Sequence, residues 1–285
     1  MSRIAYVNGH YLRHSEACVA IDDRGYQFAD GVYDVIHVRD GCLIDAEAHF
    51  ERFDYSLGEL RIAPPMPRAA LRLVLQELLV RNAIVNGLIY FQSTRGVAPR
   101  DHKFPAKART SLVATAKRLR PLAPGVLENG VAVVSIPDIR WRRCDIKSIA
   151  LLPNVLGKQR AVEQGAYEAW QIDAHGFVTE GTTTNAWIVT AGGRLVTRPL
   201  SHAILAGIVR RSLLGLIEGL PASFEERAFS LAEARAAREA FLTSSSGFLL
   251  PVTRLDGQPV GEGRVGPVTR ELRRRMDAYV SGDRS

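Results

Sequence analysis

Apolar and polar positions alternate over short stretches and recur at helical spacing over longer ones, so the chain reads as many short strands and a few helices. Residues 4–7 and 10–12 flank Asn8-Gly9, and residues 35–38 and 42–44 flank Asp40-Gly41. An Asn-Gly or Asp-Gly step between apolar runs predicts a tight hairpin. Leu71, Val74, Leu75, Leu78 and Leu79 fall at i, i+3, i+4, i+7 and i+8. That is one buried stripe and predicts a helix over about 67–82. Residues 88–94 and 111–115 read as strands, with a long polar loop, 95–109, between them. Two prolines and a glycine in 118–125 break any regular element and predict a linker. Beyond it, strands are expected at 131–136, 167–172, 177–180 and 240–243, with a hairpin of 186–190 and 194–197 around Gly192-Gly193. Helices are expected over about 151–164, from about 207, and after Ser230-Leu-Ala-Glu233, a capping box.

Helices mixed with antiparallel hairpins predict an α+β fold rather than a doubly wound sheet. The linker divides it into a domain over 1–118 and a second over 126–285, joined by 119–125. Composition changes little: 46% hydrophobic and 24% charged residues in 285 are those of a globular protein with a sizeable core. Disorder, collagen and coiled coil are excluded, and no apolar run reaches the roughly 18 residues that span a bilayer. The N-terminal stretch lacks the apolar core of a signal peptide. Cys18, Cys42 and Cys144 are odd in number and lack metal-ligand spacing. They predict neither disulfides nor a metal, a reducing compartment (the cytoplasm), and buried filler as the role of each.

Charge narrows the search for chemistry. The net charge is +7, from 37 basic and 30 acidic residues. The basic residues are scattered and do not alternate with aromatics, so a solvated basic surface is favoured over a nucleic-acid footprint. Only five of the 37 are lysines: Lys103, Lys107, Lys117, Lys147 and Lys158. Lys147 alone has apolar neighbours, Ile146 and Ile149-Ala-Leu-Leu152. Apolar surroundings favour a neutral, nucleophilic amine able to form a Schiff base. The same segment suits a snorkelling lysine at a strand end, and taken alone it favours that reading.

Glu180 precedes Gly-Thr-Thr-Thr-Asn185, one acid among small donors, as a pyridinium cofactor needs and as a polar turn also provides. Gly207-Ile-Val-Arg210 opens a helix whose first N–H groups suit an anion, and Thr243-Ser-Ser-Ser-Gly247 ends a strand with further donors. In loop 95–109, Arg100 can fork onto a carboxylate with His102 beside it; an exposed basic loop is the competing reading.

Together these segments resemble the fold-type IV pyridoxal-phosphate aminotransferases. Arg140-Trp-Arg-Arg-Cys-Asp-Ile-Lys-Ser148 and Thr179-Glu-Gly-Thr-Thr-Thr-Asn185 carry the likeness to the class. Arg95-Gly-Val-Ala-Pro-Arg-Asp-His102 carries it to the D-amino-acid aminotransferase branch. The resemblance extends from Asp23 to the 243–247 segment. It implies a smaller α+β N-terminal domain, a larger pseudo-barrel C-terminal domain that carries the lysine, and pyridoxal 5′-phosphate (PLP) between them. Lys147 would form the Schiff base and move the proton at Cα; Glu180 would pair with the pyridine nitrogen. Arg52, the N–H groups of Ile208 and Val209, and the hydroxyls of Ser244 and Ser245 would hold the phosphate, with Leu205 against the ring. Tyr33, Arg100 and His102 would trap the substrate carboxylate, with Thr183 also facing substrate. Arg100 and His102 would come from the neighbouring subunit, which implies a homodimer.

The implied reaction is ping-pong transamination between D-amino acids, such as D-alanine, and 2-oxo acids, such as 2-oxoglutarate. No membrane or nucleic-acid partner is expected. Two positions depart from the family: Val209 stands where a phosphate-binding threonine is usual, and Gly247 where a polar side chain is common. The alternatives are a branched-chain L-aminotransferase, an (R)-amine transaminase or an aminodeoxychorismate lyase of the same fold. From another class, the alternative is a basic nucleic-acid-binding protein.

Overall fold

The computed structural model describes residues 3–220 and 222–282. The chain divides into two compact units. One comprises the chain up to Arg120 together with Ile146–Ala150; the other comprises Pro121–Asp145 and the chain from Leu151 onward.

The first unit contains β1 (Ile4–Val7), β2 (His10–Arg13), α1 (Arg24–Phe28), β3 (Gly31–Arg39), β4 (Cys42–Leu43), α2 (Ala46–Glu59), α3 (Arg68–Arg81), β5 (Gly87–Thr94) and β6 (Ser111–Arg118). Its six strands pair in the order β2-β1-β6-β5-β3-β4, every neighbour antiparallel. Both predicted hairpins are present, with positive φ at Asn8, Gly9, Asp40 and Gly41, the backbone a two-residue turn of this hand requires. α2 and α3 cover one face. Phe50, Phe53, Leu57, Leu71, Leu75 and Leu78 pack there against Val32, Ile36, Ile89, Phe91 and Ala114. Strand alternation therefore sends Tyr33, Val35 and Tyr90 to the opposite face. Loop 95–109 has no regular element.

Sequence reading places Lys147 in the second domain, but its segment packs with the first unit. Ile146 joins the α2/α3 core. The Tyr33 N–H donates to the Lys147 carbonyl at 3.0 Å, the Ile149 N–H to that of Gly31 at 3.1 Å, and the Lys147 N–H to Ser56 Oγ at 3.1 Å. Five residues thus run along β3 as an added edge segment, bridged at Val32 and Ser148.

The second unit contains α4 (Val126–Asn129), β7 (Val131–Pro137), α5 (Leu152–Glu163), β8 (Glu168–Ile172), β9 (Val178–Gly181), β10 (Asn185–Val189), β11 (Leu195–Thr197), α6 (Ile208–Leu214), β12 (Phe224–Glu226), α7 (Leu231–Arg235), β13 (Glu239–Ser244), β14 (Phe248–Leu255), β15 (Gln258–Pro259) and α8 (Pro267–Ser281). The strand path is β12-β11-β10-β13-β14-β7-β8-β9, with β15 on β14. Pairing is mixed: β11/β12, β14/β7 and β7/β8 are parallel, the rest antiparallel. β9 ends that path, yet the chain turns straight from it into β10, closed by Gly181 N–H to Thr184 O at 2.7 Å. The sheet therefore curls into a partial barrel around Trp170, Val178, Ile188, Phe229, Leu242 and Leu250. Only half of the capping box forms. Ser230 Oγ accepts from the Glu233 N–H at 3.1 Å, while the Glu233 carboxylate pairs with Arg227.

Cys144 is buried as expected, but Cys18 and Cys42 are exposed. Cys42 follows a hairpin turn on edge strand β4 and Cys18 lies in a loop, where no core can cover them. Among the described residues, no helix is long and apolar enough to cross a membrane and no group of His, Cys, Asp or Glu could hold a metal ion.

Candidate active site

In the first unit, Tyr33 and Asp34 are neighbours on β3 and point to opposite faces. Asp34 is wholly buried beneath α2. His49, Arg52 and Ser56, spaced three and four apart, share the helix face that meets it. His49 Nδ1 lies 2.7 Å from Asp34 Oδ1, and Arg52 donates through Nε to Oδ2 at 3.0 Å and through its terminal nitrogen to Oδ1 at 2.8 Å. Burial alone would raise the Asp34 pKa. The charges of Arg52 and His49 and their hydrogen bonds outweigh it and hold the carboxyl far below the usual range. For His49, burial is the largest influence and lowers its pKa against the pull of Asp34; the charges of Arg52 and Lys147 act in the same direction as burial.

Lys147 is half-buried, with Nζ 4.4 Å from the centre of the Tyr33 ring, which stacks on Tyr90 at 5.6 Å. The structure thus brings Lys147 onto Tyr33 of β3, while Arg52 of α2 is held at the neighbouring Asp34. The apolar flank that singled the lysine out faces elsewhere: Ile146 plugs the core.

The 95–109 loop is pinned at its base. Arg95 forks onto Asp30 at 2.7 and 3.0 Å, and Arg24 donates to Asp30 at 2.8 Å and to the Asp101 carbonyl at 2.6 Å. Arg100 and His102 are exposed and gather on the Phe28 ring, 5.0 and 5.4 Å from its centre, with Arg24 at 4.8 Å. The two predicted trap residues therefore gather on one ring, in a loop pinned at its base.

In the second unit, Glu180 is held from three directions. Asn185 Nδ2 donates to Oε2 at 3.0 Å, the Leu205 N–H donates to the same oxygen at 3.1 Å, and Arg140 ion-pairs with Oε1. A methyl group at Gly207 would overlap Asn185 Oδ1, so this close approach requires glycine. Asn185 is also the register partner of Thr243, next to Ser244. Glu180, Leu205, the start of α6 with Ile208 and Val209, and Ser244 are therefore assembled around one asparagine. Thr183 Oγ1 donates to Glu168 Oε2 at 2.7 Å, which directs its hydroxyl proton into the protein. Glu168 is fully buried and also receives Thr182 Oγ1 at 2.5 Å and the Ala169 N–H at 2.9 Å.

Residues 31–255 match the family model described as amino-transferase class IV. The chain belongs to this family. A D-alanine aminotransferase of Staphylococcus haemolyticus is 41% identical over 277 residues, 96% of this chain and 97% of that protein. One of Bacillus licheniformis is 39% identical over 93% of each. Among solved structures, the branched-chain aminotransferase from the archaeon Thermoproteus uzoniensis with norvaline superposes with a TM-score of 0.88 at 22% identity, covering 100% of this chain and 97% of that one. The Escherichia coli branched-chain amino acid aminotransferase gives 0.89 at 21%, with 100% and 96% covered. These two likenesses establish the fold.

Class IV aminotransferases use pyridoxal phosphate, and the side chains of this aminotransferase fit it. One amine sits beside an aromatic ring, a buried guanidinium suits phosphate, and an acid fixed by two neutral donors and a cation suits the ring nitrogen. Arg140, Asp138, Asn185, Glu168, Asp34 and His49 were missed by sequence reasoning. Arg140 and Asn185 lie inside the two class motifs, and an arginine seven residues before the lysine was a signal that could have been followed.

Proposed function

We propose that this aminotransferase moves the amino group between D-amino acids, D-alanine among them, and 2-oxo acids such as 2-oxoglutarate. The observation that carries this reading is identity of about 40% over nearly the whole chain to D-alanine aminotransferases, against about 22% to branched-chain enzymes of the same fold.

Bound pyridoxal phosphate supplies an aldehyde for the substrate's amine and a protonated ring that draws electrons away from Cα. Arg52, Ile208, Val209, Ser244 and Ser245 would hold its phosphate, Leu205 its ring and Glu180 its ring nitrogen. Val209 offers only its N–H, so one side-chain hydrogen bond, about 0.5–1.5 kcal/mol net, is lost relative to threonine. The Lys147 amine would take the proton from Cα and deliver it to the cofactor's aldehyde carbon, acting as general base and then acid. It serves one face only, so the positions of the carboxylate and side-chain pockets decide which enantiomer presents its hydrogen to that face. Tyr33, Arg100 and His102 form the carboxylate pocket and thereby select the D series. Arg100 and His102 reach the site of a second copy, making the working form a homodimer. The exposed thiols of Cys18 and Cys42 fit the reducing cytoplasm.

Borohydride reduction followed by peptide mapping tests the lysine: the label should sit on Lys147, and a label on Lys158 would overturn the assignment. D-Alanine with 2-oxoglutarate should give pyruvate and D-glutamate. Turnover of L-valine in preference to D-alanine would overturn the substrate reading and favour the branched-chain one.

A further inference from the structure

Oε1 of Glu180 meets the guanidinium of Arg140, a residue given no role so far. Arg140 is held on its far side. Its Nε and a terminal nitrogen fork onto Asp138 at 2.9 and 2.7 Å, and the same terminal nitrogen donates to Thr179 Oγ1 and the Ala203 carbonyl at 3.1 Å. Thr179 in turn donates to Asp138 at 2.8 Å. The row Asp138–Arg140–Glu180 alternates in charge, with side chains only 12%, 5% and 7% exposed. So little exposure leaves the charges weakly screened.

We propose that Arg140 is a positioning residue that keeps the proton shared by Glu180 and the cofactor's ring nitrogen on the nitrogen. This rests on the reading of Glu180 as that nitrogen's partner. A carboxyl hydrogen-bonded to a pyridine has two resting places for one proton, and the more basic partner takes it. A guanidinium in contact with the carboxylate favours its ionised form. Of the three partners of Glu180 described above, only Arg140 carries a formal charge; Asn185 and the Leu205 N–H give direction without charge. Asp138 fixes where the guanidinium sits, so Arg140 cannot follow Glu180 when a ligand arrives. Burial would disfavour the Arg140 charge, but its bonds to Asp138 and the charge of Glu180 more than restore it. Among the described residues, Cys144 is a further titratable group that acts on Arg140. Burial pushes its thiol up to about 12, so it adds no charge to the row near neutral pH. A ring nitrogen kept protonated is the stronger electron sink, so Arg140 would act on the chemistry without touching the reacting atoms.

The test is solid-state NMR of the holoenzyme reconstituted with PLP labelled at the ring nitrogen. Wild type should show a protonated nitrogen, and Glu180→Gln the signal of an unprotonated pyridine. Arg140→Met should move the signal at least half of that distance, and Arg140→Lys, which keeps the charge, much less. Because Arg140→Met strands the Asp138 charge and can fail to fold, the pair Asp138→Asn with Arg140→Met is measured beside it and should show the same shift. A signal that moves in Glu180→Gln but stays at the wild-type position in the Arg140→Met variants overturns this inference and leaves the role of Glu180 standing. A signal that moves in neither overturns the Glu180 reading, and the inference with it.

Discussion

Arg52 clasps Asp34 with two parallel hydrogen bonds, 3.0 and 2.8 Å long, beneath a helix that hides both residues from solvent. The guanidinium expected to meet phosphate is therefore aimed from behind by a carboxylate on β3. Removing one partner of such a pair strands the other charge, which costs about 3–5 kcal/mol when both are buried. Asp34→Asn should lower unfolding stability by that order in urea titrations and also weaken cofactor retention on dialysis. A variant as stable as wild type would show that Arg52 has other sufficient support.

His49 gives this cluster a pH signature. Its pKa in the folded protein lies below the ordinary value of 6.5, so the unfolded chain binds a proton first as pH falls. Stability should thus be full above about pH 6.5 and decline below it. Asp34, held far below its ordinary 3.8, adds a second decline that begins only near that value. Thermal melting against pH should show the first slope in wild type. In His49→Gln that slope should be absent, so the difference in melting temperature between the two proteins should shrink from pH 7 to pH 5. A constant difference would contradict the assignment.

Arg100→Lys keeps the charge but loses the fork that matches a planar carboxylate. The loss of a charged hydrogen bond, about 1.5–3 kcal/mol, predicts KM raised roughly 10- to 100-fold for D-amino acids and 2-oxo acids alike. (R)-1-Phenylethylamine, which lacks a carboxylate, should be affected far less. Arg100→Ala chains mixed with Lys147→Ala chains should regain activity, because one site in each heterodimer would have both residues intact. Verified heterodimers without activity would place the trap within a single chain.

Glu168 receives three threonine hydroxyls, those of Thr182, Thr183 and Thr184, and two N–H groups in full burial, the Thr183 N–H among them at 3.2 Å. Glu168→Gln turns one acceptor into a donor facing those donors. A buried unmatched polar group costs about 1–3 kcal/mol. Denaturation should show that loss, and because residues 182–184 join β9 to β10, kcat should fall as Glu180 loses its fixed approach. Unaltered stability would mean that the threonines rotate to suit the amide.

How far the sequence reveals this architecture depends on what each element buries. α3 is legible because its buried stripe, Leu71, Leu75, Leu78 and Leu79, is purely leucine, and the hairpins because Asn-Gly and Asp-Gly admit few other conformations. α2 is missed: its covered face mixes Phe50, Phe53 and Leu57 with His49, Arg52 and Ser56, which dilutes the apolar period. β14 is buried on both faces over most of its length and so shows no alternation. α8 carries a narrow stripe, Val268, Leu272, Met276 and Val280, among many arginines. Lys147, Glu180 and Arg100 were recognisable as motif residues. Asp34 and Glu168 were not, and Arg140, though inside a class motif, showed no role there, because each acts by holding another side chain, a relation that appears only in the fold.

The five residues Ile146–Ala150 make this protein a poor subject for modular exchange. A chimera joined in the linker, with everything after residue 120 taken from a relative, would import a foreign lysine segment. That segment would have to fit a groove edged by this chain's Gly31, Val32, Tyr33 and Ser56. An isolated piece ending at Arg120 would lack Ile146 as the stopper of its core, and should bind a synthetic peptide of residues 146–150 more tightly than one in which Ile146 is replaced by serine. The lysine therefore descends with one half of the gene while depending for its place on the other, and the two halves can vary only in step.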